Sequence, residues 1–77
     1  EWIDVGPDTN IQDGSILHVD PGYGCFLGAR VTLAHRALVH ASIVEDDVMI
    51  AIGATVLSRC IIGAGALIAA GAVVMEG

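Results

Sequence analysis

Aliphatic residues recur every six positions along the chain: Val5, Ile11, Leu17, then Leu27, Leu33, Val39, then Val44, Ile50, Val56, then Ile62, Ile68, Val74. All twelve positions of this register are Val, Ile or Leu. Two breaks interrupt it: four extra residues between Leu17 and Leu27, and one fewer between Val39 and Val44. Four places after an aliphatic stands a small or modest residue: Thr9, Ser15, Val31, Ala37, Val48, Ala54, Cys60, Ala66 or Ala72. The place before that is often a turn former, as at Asp8, Gly14, Asp47, Gly53, Gly65 and Gly71. A period of six is neither the helical period nor simple strand alternation. It predicts a short strand and a corner, repeated.

Strand alternation puts each aliphatic and the small residue two places before it on the same, inward side. Three hexads close one triangular turn. The predicted columns are Val5, Leu27, Val44, Ile62; then Ile11, Leu33, Ile50, Ile68; then Leu17, Val39, Val56, Val74. Stacked strands lie about 4.7–4.9 Å apart. The fold class is therefore all-β: a parallel β-helix of about four triangular coils built from hexapeptide repeats.

Composition adjusts this picture. Seventy-seven residues make one domain, 1–77, with a modest core for its surface. Solenoids need capped ends, and the repeat runs to both ends of this chain without a visible cap. A piece of a longer protein, or a protomer stabilised by association, is the expectation. A hydrophobic content of 55% also favours an oligomer. Net charge is −6, with Arg30, Arg36 and Arg59 the only basic residues, which argues against nucleic acid or an anionic membrane surface as partner. The apolar run Ile61 to Met75 is fifteen residues and holds three glycines, short of the ~20 that a spanning helix needs. No signal-peptide pattern is visible, and a cytoplasmic location is the expectation. Cys25 and Cys60 fit no CxxC pattern, and Cys60 holds a small inward position, so it reads as a buried, reduced packing residue.

The candidate chemistry lies in the three histidines, His18, His35 and His40. His18 follows Leu17 and His40 follows Val39, so both point outward from the third face, one coil apart. Two imidazoles so placed can converge on one ion. His35 sits at the corner entering that face, five residues before His40. At about 3.3 Å per residue the two are roughly 16 Å apart along one chain. Zinc needs each nitrogen at about 2.0–2.1 Å. All three histidines can share an ion only if His35 comes from a neighbouring protomer, as a threefold trimer allows. The alternative is three solvated surface histidines. Three ligands leave the fourth zinc position open for water, whose pKa falls to about 7, a magnitude taken from carbonic anhydrase as the reference case. Hydroxide so generated suits attack on an electrophilic carbon such as that of CO2. Imidazole ligands also suit iron, cobalt or nickel, Fe2+, Co2+ or Ni2+ here.

The segment Asn10-Ile11-Gln12-Asp13-Gly14-Ser15-Ile16-Leu17-His18-Val19-Asp20, followed by Val31-Thr32-Leu33-Ala34-His35-Arg36-Ala37-Leu38-Val39-His40, resembles the gamma-class carbonic anhydrase family. The resemblance covers nearly the whole chain but only the central portion of a typical member. It implies a left-handed β-helix, a homotrimer with Zn2+ between subunits, and CO2/bicarbonate as substrate. It implies that His18 and His40 bind metal from one chain and His35 from the next. It implies that Gln12 orients the metal-bound hydroxide or CO2, that Asn10 lines the pocket, and that Asp13 pairs with an arginine across the interface. Arg36, beside His35, is the candidate for that arginine. The acidic proton-shuttle residues of some members have no match here. Asp20 lies in the right region, but Asp20-Pro21-Gly22-Tyr23-Gly24 reads first as a turn.

Two other functions fit the same scaffold. A hexapeptide-repeat acyltransferase would use one histidine as general base and bind acyl-CoA between subunits without metal. A catalytically inactive, metal-binding trimeric module would hold metal and show no hydration.

Overall fold

A computed structural model describes residues 2–75. Twelve short strands form four coils of three. The first coil holds β1 (Ile3–Val5), β2 (Asn10–Ile11) and β3 (Ile16–His18). The second holds β4 (Cys25–Leu27), β5 (Thr32–Leu33) and β6 (Leu38–His40). The third holds β7 (Ile43–Val44), β8 (Met49–Ile50) and β9 (Thr55–Val56), and the fourth β10 (Ile61–Ile62), β11 (Leu67–Ile68) and β12 (Val73–Val74).

Each face of the prism is a four-stranded parallel sheet: β1-β4-β7-β10, β2-β5-β8-β11 and β3-β6-β9-β12. The registers pair Val5 with Leu27 and Leu27 with Val44, Leu33 with Ile50, and Leu17 with Val39 and Val39 with Val56. These are the columns expected from the spacing of six. Backbone amides of one coil donate to carbonyls of the next, as in Gln12 N to Leu33 O at 2.9 Å and Ala34 N to Ile50 O at 2.9 Å. The apolar run Ile61 to Met75 forms the last coil. Among the described residues no helix is long and apolar enough to cross a membrane.

The core is the stacked interior of the middle coils. Leu33, Val39, Ile50 and Val56 are fully buried, as are the small partners Val31, Ala37 and Ala54. Burying a side chain of this size stabilises by roughly 1.5–3 kcal/mol. Val5 and Ile11, in the first coil, have no coil beneath them among the described residues and are each 41% exposed. Both cysteines are buried and reduced, as expected for Cys60, and burial pushes the Cys25 thiol up.

The corners need a left-handed residue as their second turn position. Glycine fills it at 14, 53, 65 and 71. Asp8, Asp47 and all three arginines, Arg30, Arg36 and Arg59, also adopt positive φ there, between 56° and 61°. Each non-glycine residue so placed costs about 1–2 kcal/mol. Arg30 recovers part of this cost through a two-pronged pair with Asp47 one coil on, at 2.7 and 3.2 Å. That hydrogen bond holds the Arg30 guanidinium up and the Asp47 carboxyl down from their ordinary ranges.

The two breaks in the hexad spacing are complementary. The four extra residues form a turn over 20–23, closed by Asp20 N to Tyr23 O at 3.2 Å and Tyr23 N to Asp20 O at 2.9 Å. The shortened segment between Val39 and Val44 turns at Ala41 (φ 41°), which is buried although it lies at a corner. The extra turn reaches past this shortened corner to the third coil. There Arg59 stands over the Tyr23 ring at 5.1 Å, and Ser58 donates to Asp20 Oδ2 at 2.7 Å.

Candidate metal centre

His18 and His40 are directly paired in the parallel register of β3 and β6. Identical positions on neighbouring parallel strands point the same way at the strand spacing. The two imidazoles accordingly stack, with centroids 4.6 Å apart and planes 17° from parallel. Nδ1 of His18 lies 2.8 Å from Nε2 of His40. The tight coil ladder fixes this approach: Ala41 N donates to His18 O at 2.7 Å.

The remaining partners of His40 come from the two spacing breaks. Ser58 Oγ lies 2.5 Å from His40 Nδ1. The Asp20 carboxylate accepts from Ser58 and stands 3.5 Å from the same His40 nitrogen. His18, Asp20 and His40 bring one ligand atom each within 4.8 Å of one another. Ser58 is the residue that sequence reasoning missed, and Asp20 is one that it read first as part of a turn. The available signal was an acid placed two residues after His18, at the start of an insertion.

These residues suit a metal ion. In a tetrahedral zinc site with bonds of about 2.0–2.1 Å, two nitrogens stand about 3.4 Å apart. The pair at 2.8 Å needs to open by about half an ångström, within reach of small side-chain rotations. A neighbouring carboxylate adds the negative charge that favours a cation. Two imidazoles and one carboxylate are the donor types used by zinc and the late first-row metals.

His35 lies elsewhere. It occupies the corner between β5 and β6 and is exposed, and the intrachain cluster excludes it. The other residues expected at the site lie with it. Gln12 follows β2 and lines a shallow depression with Thr32, Ala34, Met49 and Ala51. Asn10 lies on β2, and the Asp13 corner stacks on the His35–Arg36 corner through Arg36 N to Asp13 O at 3.1 Å. Among the described residues no ion pair joins Asp13 and Arg36 within one chain. One protomer thus carries two separate constellations: His18, His40, Asp20 and Ser58 on and beside the third face, and His35, Gln12, Asn10 and Asp13 around the second.

The third face is also apolar outside. Ile16, Val73 and Met75 point outward from it or flank it, and are 51%, 57% and 70% exposed. The histidine pair therefore stands on a surface suited to association.

Comparison with known proteins points the same way. Residues 41–75 match the family model for the bacterial transferase hexapeptide (six repeats). Across 96% of its length the chain is 36% identical to gamma carbonic anhydrase 1, mitochondrial, of Arabidopsis thaliana, covering 29% of that protein. It is 40% identical over 79% of its length to a carbonic anhydrase of Geobacillus kaustophilus, covering 34% of that protein. It is 32% identical over 73% of its length to protein YrdA of Escherichia coli, covering 34% of it. The chain spans about a third or less of the length of these curated relatives. With hexads, histidine spacing and relatives in agreement, the chain is a gamma carbonic anhydrase-like hexapeptide-repeat chain, similar to these relatives over part of their length.

Proposed function

We propose that this protein is a zinc-dependent carbonic anhydrase-like hydro-lyase whose metal centre forms between copies of the chain. The single observation that carries this is the division of the site. His18 and His40 are registered with their nitrogens 2.8 Å apart on an apolar face, while His35 and Gln12 lie around a different corner. Each half lacks what the other has. A cyclic trimer, in which one protomer's third face meets the next protomer's second corner, unites them in three equivalent sites.

Zinc bound there supplies a Lewis acid that brings the pKa of water near 7. The chain's own residues do the rest. His18 and His40 hold the ion from one side and His35 completes the ligand set from the other. Gln12, with one amide donor and one acceptor group, orients the nucleophile or CO2, and Asn10 stands on β2 two residues before it. Asp13 and Arg36 pair across the interface. The apolar walls from Ala34, Met49 and Ala51 suit a small nonpolar substrate.

The transferase reading finds less support. The stretch that matches the hexapeptide transferase model, residues 41–75, contains no histidine to act as a base. That match describes the coils rather than the chemistry.

Subunit complementation tests the proposal. His35→Ala and His40→Ala chains should each take up little zinc alone. Unfolded together and reassociated at equal amounts, they should regain about one quarter of the sites, since a site needs one chain of each kind in the correct order. No regain in a mixed, properly folded trimer would refute the shared site.

A further inference from the structure

The hydrogen-bond chain that ends on His40 has a direction, and the direction has a consequence for the metal. An ionised carboxylate only accepts hydrogen bonds. Ser58 must therefore give its single hydroxyl proton to Asp20 Oδ2, 2.7 Å away. Having spent that proton, Ser58 Oγ can only accept at its 2.5 Å contact with His40 Nδ1. A neutral His40 then carries its proton on Nδ1, which leaves Nε2 bare, and this is the nitrogen facing His18 at 2.8 Å.

The support is built into the fold. Ser58 is 5% exposed and stands at a corner of the third coil. Asp20 comes from the four-residue insertion after the first coil, and the shortened corner at Ala41 leaves room for it to reach Ser58. The cation–π contact of Arg59 with Tyr23 ties the same two segments together a little further along each. Outer groups of this kind fix the tautomer and ring orientation of metal-binding histidines.

We propose that Ser58 and Asp20 are positioning residues that lock His40 in the Nδ1–H tautomer, aiming its bare Nε2 at the metal position beside His18. The proposal rests on the metal-centre reading above. It gives the insertion a specific role, the delivery of one carboxylate to the back of one ligand. Asp20 acts through Ser58 and is not itself a ligand, although its distance from the histidines would allow that role.

Two readouts test it. In the metal-free protein, long-range proton–nitrogen NMR correlations report which nitrogen of each histidine is protonated. His40 should be the Nδ1–H tautomer in the wild type, and Ser58→Ala should turn it into a mixture. Zinc affinity, measured by competition with a chelator, should fall about 10–100-fold in Ser58→Ala. It should fall less in Asp20→Asn, whose amide oxygen can still accept from Ser58. An Nε2–H tautomer for His40 in the wild type would overturn the proposal. So would full zinc affinity in a folded Ser58→Ala, or loss of zinc in Asp20→Asn with binding retained in Ser58→Ala, which would make Asp20 a ligand. Failure of the wild type to take up zinc would sink the metal-centre reading instead, while the tautomer measurement would still judge the clamp.

Discussion

Ser42 offers a quantitative test of how the shortened corner is held. It is 2% exposed, and its hydroxyl oxygen accepts from Cys60 N–H at 3.0 Å. The same hydroxyl faces the carbonyls of Leu57 at 2.7 Å and His40 at 2.9 Å. One side chain thus ties the backbone next to His40 to the backbone on either side of Ser58. Ser42→Ala removes the acceptor and strands a buried amide donor, since a methyl group leaves no room for water in a core of this density. A buried polar group left without a partner costs about 1–3 kcal/mol. At a urea slope of about 1–3 kcal/mol per molar, the unfolding midpoint should fall by about 1 M with the slope unchanged. Wild type and variant must be compared at equal protomer concentration, because any association adds to apparent stability. A change within about 0.5 kcal/mol would refute the reasoning, placing this variant among ordinary surface substitutions.

Three further outcomes follow from the geometry. At Gly6 a Cβ would lie 2.6 Å from the Gly28 carbonyl group, so Gly6→Ala must push two coils apart and should cost about 1–3 kcal/mol, whereas Gly63→Ala, with open space around it, should stay within about 0.5 kcal/mol by thermal unfolding. Arg36→Gly relieves a left-handed φ of 57° and should leave the protomer fold no weaker, but it should weaken association in sedimentation if Arg36 pairs with Asp13 of the neighbour; unchanged association would remove that pair from the site. The Asp47 carboxyl is held below its ordinary range by Arg30, so its contribution is complete above the unfolded value of about 3.9 and is lost as pH falls through the lower folded value. Asp47→Asn should therefore flatten the acid side of the stability profile below the unfolded value of about 3.9, and the difference should shrink in high salt because both groups are exposed.

Most of the fold was legible because the β-helix is a local code. One aliphatic per hexad and one small residue before it suffice to define a column, and columns such as Leu33 with Ile50 are the observed ladder pairs. The same logic foretold that His18 and His40 would meet, since residues that follow paired aliphatics must themselves pair. Asp20 and Ser58 were not legible in this way. Their contact depends on how a four-residue insertion folds over a corner one residue short, and hexad spacing is silent about both. Asp20 read as a turn residue, which it also is, through its backbone bonds to Tyr23. The arginines at left-handed corners were invisible for a related reason: the pattern marks where a corner falls, while glycine-like conformations at Arg30, Arg36 and Arg59 are imposed by the coil.

A metal centre completed by a second copy of the chain is decided by metal content. Zinc-loaded wild type and His35→Ala should be purified as assembled proteins and measured by elemental mass spectrometry. About one metal per protomer is expected in the wild type, with most of it lost in His35→Ala, since tetrahedral zinc would lose one of three protein ligands. Full metal in His35→Ala would overturn the shared centre, leaving the ion to His18, His40 and Asp20 of a single chain.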